Sequence, residues 1–579
     1  MVTITPINKQ RDVQVFPIGA ETRVLRSRTW DRLKFEIEYA LQRGTTANSY
    51  LIQADKIALF DPPGESFTEI FLTALRDRLD PTLLDYVILG HVNPNRAVTL
   101  KALLELAPQI TIVCSNPAAI ALRTLLPDQE LNITVVRGED TLDLGQGHHL
   151  QFILTPSPRW PGGLCTYDPQ TEILFTDKLF GAHVCGDQVM DEGWTVISED
   201  RRYYFDCLMA PHARYVEKTL DKLADFPARL YATGHGPLVR YSLIPLTQSY
   251  RQWCEENASQ ELTIALLYAS AYGNTGTLAQ AIARGITKAG VGVEAINCEV
   301  ADPTEVQKAV EKADGFIMGS PTLGGHAPTP IQTALGIVLS TATKTKLAGV
   351  FGSFGWSGEA IDLIETKFRD AGYQFGFETI RVKFKPNEVT LKFCEEAGTD
   401  FAQALKKAKK ARTPRQPVSD SQAARTEQAV GRLIGSLCIV TAKQGELTGA
   451  MLADWVSQAT FSPPGLTIAV AKDRAIESLM HAGDHFVVNI LAQGKHLGLM
   501  KHFLKPFGPG EDRFAGVNTE VADNGCPILS DALAYLECTV ENRMECGDHW
   551  LVYGVVKNGK LLQSDGVTAV HHRKSGTHY

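Results

Sequence analysis

LTIALLYASAYGNTG, residues 262–276, runs from an unbroken apolar stretch into a glycine-rich turn, and LAQAIARGITKAG (278–290) continues it with helical spacing. An apolar run without alternation suits a strand covered on both faces. The pattern returns through VGVEAINCEV, GFIMGS, LAGVFGSFG and TIRVKFKP, with helical stretches between them and FAQALKKAKK at the end. Five alternations over 262–410 predict a doubly wound parallel sheet with right-handed crossovers. Ligands of such sheets bind at the carboxyl ends of the strands. Three loops fall there. Ser270, Tyr272, Gly273, Asn274, Thr275 and Gly276 offer hydroxyls, an amide and the N–H groups of a helix start, which together suit a phosphate. No Lys follows Gly276, which disfavours a triphosphate loop. Pro321, Thr322, Leu323, Gly324 and Gly325 follow the third strand. Ser353, Phe354, Gly355, Trp356, Ser357 and Gly358 follow the fourth. Their glycines let backbone approach a flat ring, whose face Trp356 is placed to cover.

Outward from this segment, 579 residues are too many for one ordinary domain. With 44% hydrophobic and 21% charged residues the chain is globular, neither disordered nor fibrous. A net charge of −8 excludes the basic footprint of a nucleic-acid binder. No two of the eleven cysteines are spaced CxxC, which argues against an all-cysteine metal site and for buried thiols in a reducing compartment. The start, MVTITPINKQRDVQVF, lacks an apolar signal region, and no apolar run is long enough to span a bilayer. These features predict a cytoplasmic protein with no membrane partner.

Lys406, Lys407, Lys409, Lys410, Arg412 and Arg415 lead into a proline-bearing polar stretch, so 411–430 reads as a linker and the basic run as a solvated helix end. Residues 431–579 hold short β-rich runs between Gly, Pro and Asp turns, the pattern of a small antiparallel barrel. Residues 1–258 mix strands and helices without simple alternation.

The YASAYGNTG and GSPT loops resemble those of flavodoxin, which implies FMN, with its phosphate on 270–275 and its ring between 321–325 and 353–358. The N-terminal third, through Thr46–Leu51, Gly90-His91, Trp160-Pro161, Leu174-Phe175-Thr176 and Gly234-His235-Gly-Pro237, resembles a metallo-β-lactamase-like domain, and most closely that of the flavodiiron proteins. The order of domains resembles class C flavodiiron proteins of oxygenic phototrophs. The fold expectation is therefore multidomain α/β: an αββα sandwich (1–258), a flavodoxin-like sheet (259–410) and a flavin reductase-like antiparallel β-barrel (431–579).

The resemblance also implies an iron motif, H-x-E-x-D-H, then a His before W-P, a bridging Asp and a His in H-G-P. Here the positions read His91, Asn93, Asn95, Arg96, Arg159, Lys178 and His235. Three cations oppose a metal dication that carboxylates would neutralise. No metal ligand is assigned and a diiron centre is expected to be absent, with an anion or a nearby carboxylate between Arg96, Arg159 and Lys178. His148, His149, His183 and His212 read as surface or satisfied histidines rather than as a rebuilt site.

In the barrel, Gly449–Pro464 resembles the segment of flavin reductases that holds a flavin. That likeness implies flavin contacts from Thr448, Ser457, Gln458, Thr460, Lys472, Arg474 and Asn489. Gly547-Asp548-His549 matches a motif near the hydride-transfer face, where His549 would orient a nicotinamide; a structural turn is the alternative. The implied activity passes hydride from NAD(P)H to a second flavin (FMN or FAD), then electrons to FMN, then to oxygen, giving water. Family members pair head to tail, so a homo-dimer or tetramer, or a hetero-oligomer with a diiron-bearing flavodiiron protein, is implied. The alternative is a regulatory or structural subunit of such an assembly.

Overall fold

The computed structural model describes residues 10–31, 34–35, 39–40, 43–412 and 422–572. They form two compact units, Met1–Gly276 with Gly292–Ala313 and Pro328–Ala342, and Thr277–Val291 with Asp314–Ala327 and Thr343–Tyr579. Among the described residues no helix is long and apolar enough to cross a membrane.

The first unit contains the expected sandwich. One seven-stranded sheet runs in the order Asp12–Gly19, Thr22–Thr29, Thr45–Gln53, Ile57–Phe60, Tyr86–Ile88, Thr111–Ser115 and Asn132–Val136. A five-stranded sheet holds Thr141–Asp143, His149–Leu154, Leu164–Asp168, Ile173–Asp177 and Leu230–Thr233. The period of two sorts the side chains. Tyr50 and Ile52 join Phe60, Phe152 and Phe175 between the sheets. Leu51 instead packs with Leu59 and Phe71 beneath the helices Thr68–Arg76, Pro94–Leu106 and Asn116–Leu125. A third cluster, including Tyr204, Phe205, Leu220 and Tyr250, seats Ser198–Leu208, Ala213–Leu223 and Leu243–Ala258 on the other outer face. In the same unit Thr263–Tyr268 pairs parallel with Gly292–Asn297.

In the second unit Gly315–Pro321 pairs parallel with Leu347–Phe354, which pairs parallel with Gln374–Phe375 and Ile380–Lys383. Close packing explains one glycine of the GSPT loop: a Cβ on Gly319 would lie 2.0 Å from the Phe351 ring. The barrel strands follow the order Leu447–Ala453, Cys438–Gln444, His485–Ile490, Ala534–Cys546, His549–Leu561, Pro464–Ala471 and Val456–Phe461, every neighbour antiparallel. Of the stretch expected as linker, 413–421 lies outside the described residues, whereas Glu388–Arg412 and Gln422–Val430 are helical.

Buried charge ties this unit together. Lys288 reaches Glu395 at 2.9 Å and Glu477 at 2.7 Å, Arg543 reaches Glu477 at 3.0 Å, and Arg284 reaches Glu395 at 3.3 Å. Burial opposes the charge on Glu395 and Glu477, yet Lys288, with Lys392 at the first and Arg543 at the second, holds both carboxyls well below the usual range. Their stabilisation is thus fully present above the ordinary value of 4.5 and is lost as pH falls below it. Scanning calorimetry should show the melting temperature dropping steadily through that acid range. Glu477→Gln should cost about 3 kcal/mol at neutral pH and flatten the acid limb, because a buried pair broken on one side leaves cations uncompensated.

Candidate functional site

The loop 270–276 is built around Ser270. Its Oγ accepts the Gly276 N–H at 2.8 Å, while its own N–H donates to Glu299 at 3.0 Å. Gly273 takes φ +81°, a left-handed turn that a side chain would strain. The helix Asn274–Lys288 starts directly after it, so first-turn N–H groups stand at the loop, with Thr275 buried and Tyr272 exposed.

In the other unit, the Thr322 N–H donates to the Ser353 carbonyl at 3.0 Å and joins the 321–325 loop to the end of the next strand. Leu323 and His326 exchange N–H···O bonds of 2.9 and 3.0 Å, and Gly324 and Gly325 take φ of +57° and +82°. Among the described residues the buried Thr322 Oγ1 has no hydrogen-bond partner. Trp356 is 93% exposed at the tip of 353–358, and Ser353 is buried at its base.

The seven positions carried over from the iron motif divide into two groups. Arg96 NH1 donates to Asp61 at 2.5 Å and NH2 donates to Asp177 at 3.2 Å. His91 Nδ1 lies 2.5 Å from Asp177, and the Asn93 amide is 3.1 Å from His91 Nε2. Asn93 Oδ1 also caps the helix Pro94–Leu106 by accepting the Arg96 N–H at 2.8 Å, and Asn95 Oδ1 accepts the Glu65 N–H at 3.0 Å. On the second side, Lys178 Nζ is 3.1 Å from His235 Nε2, and His235 Nδ1 is 2.7 Å from the Thr46 carbonyl. The Arg159 guanidinium lies 5.0 Å from the Trp160 ring centre and Lys178 Nζ lies 5.9 Å from it. A cavity of about 40 Å³ among His91, Trp160, Asp177, Lys178 and His212 separates the groups.

Charge in this pocket follows from burial. The His91 imidazole is pushed down to about 4 by burial and by Arg96, so it stays neutral. Burial and the neighbouring Asp177 lift the Asp61 carboxyl to about 7 against the pull of Arg96. Burial also opposes ionisation at Asp177, but His91, Arg96 and Lys178 hold that carboxyl well below the ordinary range.

The counter-charge at Arg96 and Lys178 is a carboxylate: both cations act on the buried Asp177, and Arg96 also donates to Asp61, while the Arg159 guanidinium lies over the Trp160 ring. Sequence reasoning missed Asp61 and Asp177. The only local signal was Asp177 beside Lys178, since Asp61 simply ends a strand before Pro62. The further histidines are also placed. His148 pairs with Asp168 at 2.9 Å, exposed His149 lies 3.3 Å from Asp143, and His183 Nδ1 is 2.7 Å from Thr45 Oγ1. His212 is kept neutral by burial, its pKa pushed down to about 3.

On the barrel, the carried-over flavin positions scatter. Thr448, Ser457 and Gln458 are exposed on the strands Leu447–Ala453 and Val456–Phe461. Thr460 Oγ1 donates to the Pro463 carbonyl at 2.7 Å. Asn489 is fully buried; its amide donates to Ile439 and Thr441 and its oxygen accepts the Leu529 N–H at 2.8 Å. Lys472 pairs with Glu545 and lies 5.3 Å from the Trp550 ring centre, while Arg474 lines a cavity with Met451 and Asp473. His549 stands 2.7 Å from Asp548, its ring 5.1 Å from that of Trp455.

Three family models match the chain: ODP family beta lactamase over 45–236, flavodoxin over 266–398 and flavin reductase like domain over 430–577. The Nostoc sp. PCC 7120 protein called diflavin flavoprotein A 6 is 74% identical over 571 residues, 99% of each chain. Diflavin flavoprotein A 1 of Synechocystis sp. PCC 6803 is 47% identical over 580 residues, 100% of each. The solved structure of the metal-soaked Flv1 flavodiiron core from Synechocystis sp. PCC6803 is 71% identical, with a TM-score of 0.67, over 69% of this chain and all of that one.

The pocket makes one energetic prediction. Arg96→Met leaves Asp61 and Asp177 buried without their guanidinium and should destabilise the protein by about 3–5 kcal/mol. Adding Asp61→Asn should recover part of that loss. Urea unfolding followed by tryptophan fluorescence measures both.

Proposed function

The chain belongs to the diflavin flavoproteins of flavodiiron type found in phototrophs, and from that premise we propose that it carries electrons from NAD(P)H through two flavins toward oxygen, delivering them to a diiron-bearing partner rather than to irons of its own. As a family member it is an electron-transfer flavoprotein oxidoreductase. One observation carries the choice of a partner's irons. Both nitrogens of His91 are engaged, by Asp177 and Asn93, and both nitrogens of His235, by Thr46 and Lys178. Each imidazole spends its Nε2 lone pair on a donor, the Asn93 amide at His91 and the Lys178 ammonium at His235, and Arg96 and Lys178 put positive charge where cations would have to enter. These residues do not fit a diiron centre.

The FMN reading is supported by the loop Ser270–Gly276, with its helix-start N–H groups. Flavins supply the step that converts an arriving hydride into single departing electrons. In this reading 270–276 holds the phosphate, 321–325 and 353–358 flank the ring, and Trp356 covers it. His549, backed by Asp548, positions the nicotinamide at the barrel. Thr448, Ser457, Gln458, Thr460, Lys472 and Arg474 surround the second flavin in this reading, while the buried Asn489 holds the strands behind them.

Two measurements test the proposal. Thr275→Val removes a hydroxyl at nearly constant size and should weaken FMN binding roughly ten- to a hundred-fold, the worth of one charge-assisted hydrogen bond. Unchanged affinity would remove Thr275 from the site. Second, the purified chain should contain far less than two irons and consume oxygen slowly with NAD(P)H, releasing peroxide or superoxide. Mixed with a diiron-bearing relative it should yield mainly water. Rapid, peroxide-free uptake by the chain alone refutes the partner reading. Absence of flavin reduction in both samples favours a regulatory subunit.

A further inference from the structure

Within the first unit, a cavity of about 240 Å³ lies where the turn Ala210–His212 and the helices Ala213–Leu223 and Leu243–Ala258 face the strands Thr263–Tyr268 and Gly292–Asn297 and the helix Pro303–Lys312. An apolar cavity of about 150 Å³ already admits benzene, so this one has room for a substituted ring. Its walls are largely apolar. Ile264 and Val293 are buried partners on the sheet, and the small side chains of Ala213, Ala309 and Ala313 leave the space open. Of the charged lining, Glu217 and Lys312 are exposed to water, and Arg214 is answered by Glu294 at 3.3 Å and by Glu305. One buried polar atom stands apart. His212, 3% exposed, lines the cavity, and among the described residues its Nδ1 has no hydrogen-bond partner. The other ring nitrogen bonds the Ala295 carbonyl and so carries the ring's proton. Burial, aided by Arg159, keeps the imidazole neutral, which leaves Nδ1 a bare acceptor. An acceptor shut away from water is costly until a donor meets it.

We propose that this cavity binds a small neutral aromatic alcohol, its ring against Ile264 and Val293 and its O–H donating to His212 Nδ1. A charged ligand would lose its hydration against an apolar wall, beside an Arg214 that is already paired. A hydrocarbon would leave Nδ1 unanswered, and a single water would leave most of the space unfilled. An occupant touches helices of the β-lactamase-like part and strands of the flavodoxin-like sheet at once, so binding stabilises their junction. The site depends on neither flavin. His212 also borders the pocket around His91 and Trp160, and a variant at the far wall of the cavity separates the two.

The test uses the full-length protein as purified, with phenol and anisole as probes. The two share a ring and an oxygen, and only phenol has a donor. Titration calorimetry on the wild type should give phenol about ten-fold the affinity of anisole, the worth of one hydrogen bond to a buried acceptor. Ala258→Leu puts bulk at the half-buried rim, away from His212, and should weaken both probes about ten-fold while the protein melts as the wild type does. His212→Phe should bind anisole as before and lose the preference for phenol. The comparison of phenol with anisole needs no variant, so it stands even where His212→Phe does not fold. Three results each overturn the proposal: equal affinity for the two probes in the wild type, no binding of either, or phenol affinity untouched by Ala258→Leu. A His212→Phe protein that still prefers phenol does so as well.

Discussion

The Arg96 guanidinium spans two carboxylates, 2.5 Å from Asp61 and 3.2 Å from Asp177, where little water reaches. Buried charges of this kind persist only in matched sets, and removing any member strands the others. The Gly90 N–H donating to Asp61 and the His91 ring on Asp177 draw the strand Tyr86–Ile88 and the helix after it into the same set. The Lys178–His235–Thr46 chain does the same for the strands Ile173–Asp177 and Leu230–Thr233. Ion pairs and hydrogen bonds thus join the two sheets at this pocket.

The second unit applies the same physics to a different end. Lys288, Arg284, Glu395, Glu477 and Arg543 come from two helices and the barrel, and each carboxylate there is held ionised by cations from another element. Such a network is weak evidence for net stability but strong evidence for a defined arrangement, because a displaced helix would strand charge in a dry interior. That arrangement places Lys392, Gln403 and Lys407 beside the 472–478 segment of the barrel.

The flavin reading and the metal-pocket reading draw on different kinds of observation. Loop 270–276 presents the backbone N–H groups of a helix start, donors that suit an anionic group. The positions carried over from the iron motif show a different condition. His91, Asn93, Arg96, Lys178 and His235 have polar atoms engaged by one another, by Asp61 and Asp177, or by backbone. Helix-start donors suit a ligand, and saturation points to a structural pocket.

Most of the architecture could be read along the chain, because apolar periodicity and glycine placement are local properties. LTIALLYASAYGNTG announced a strand, a turn and a helix, and the structure has Thr263–Tyr268 followed by Asn274–Lys288. The residues at the positions carried over from the iron motif were equally plain as types. Their consequence was not, since the answer to Arg96 comes from Asp61, 35 positions away, and from Asp177, 81 positions away. Beyond Lys178 standing next to Asp177, nothing local to either carboxylate marks it as a counter-charge. Asn489 shows the same limit, having the residue type of a ligand contact but a side chain enclosed by three neighbours in the barrel. Lys407 reverses the case, a member of an ordinary basic run that the packing of its helix sets at the edge of a cavity. Sequence alone determined which segments fold and which chemistries they carry, because both depend on neighbours in the chain. Which charges meet was decided only by the tertiary structure, because Coulomb energy and desolvation depend on distance and burial in space.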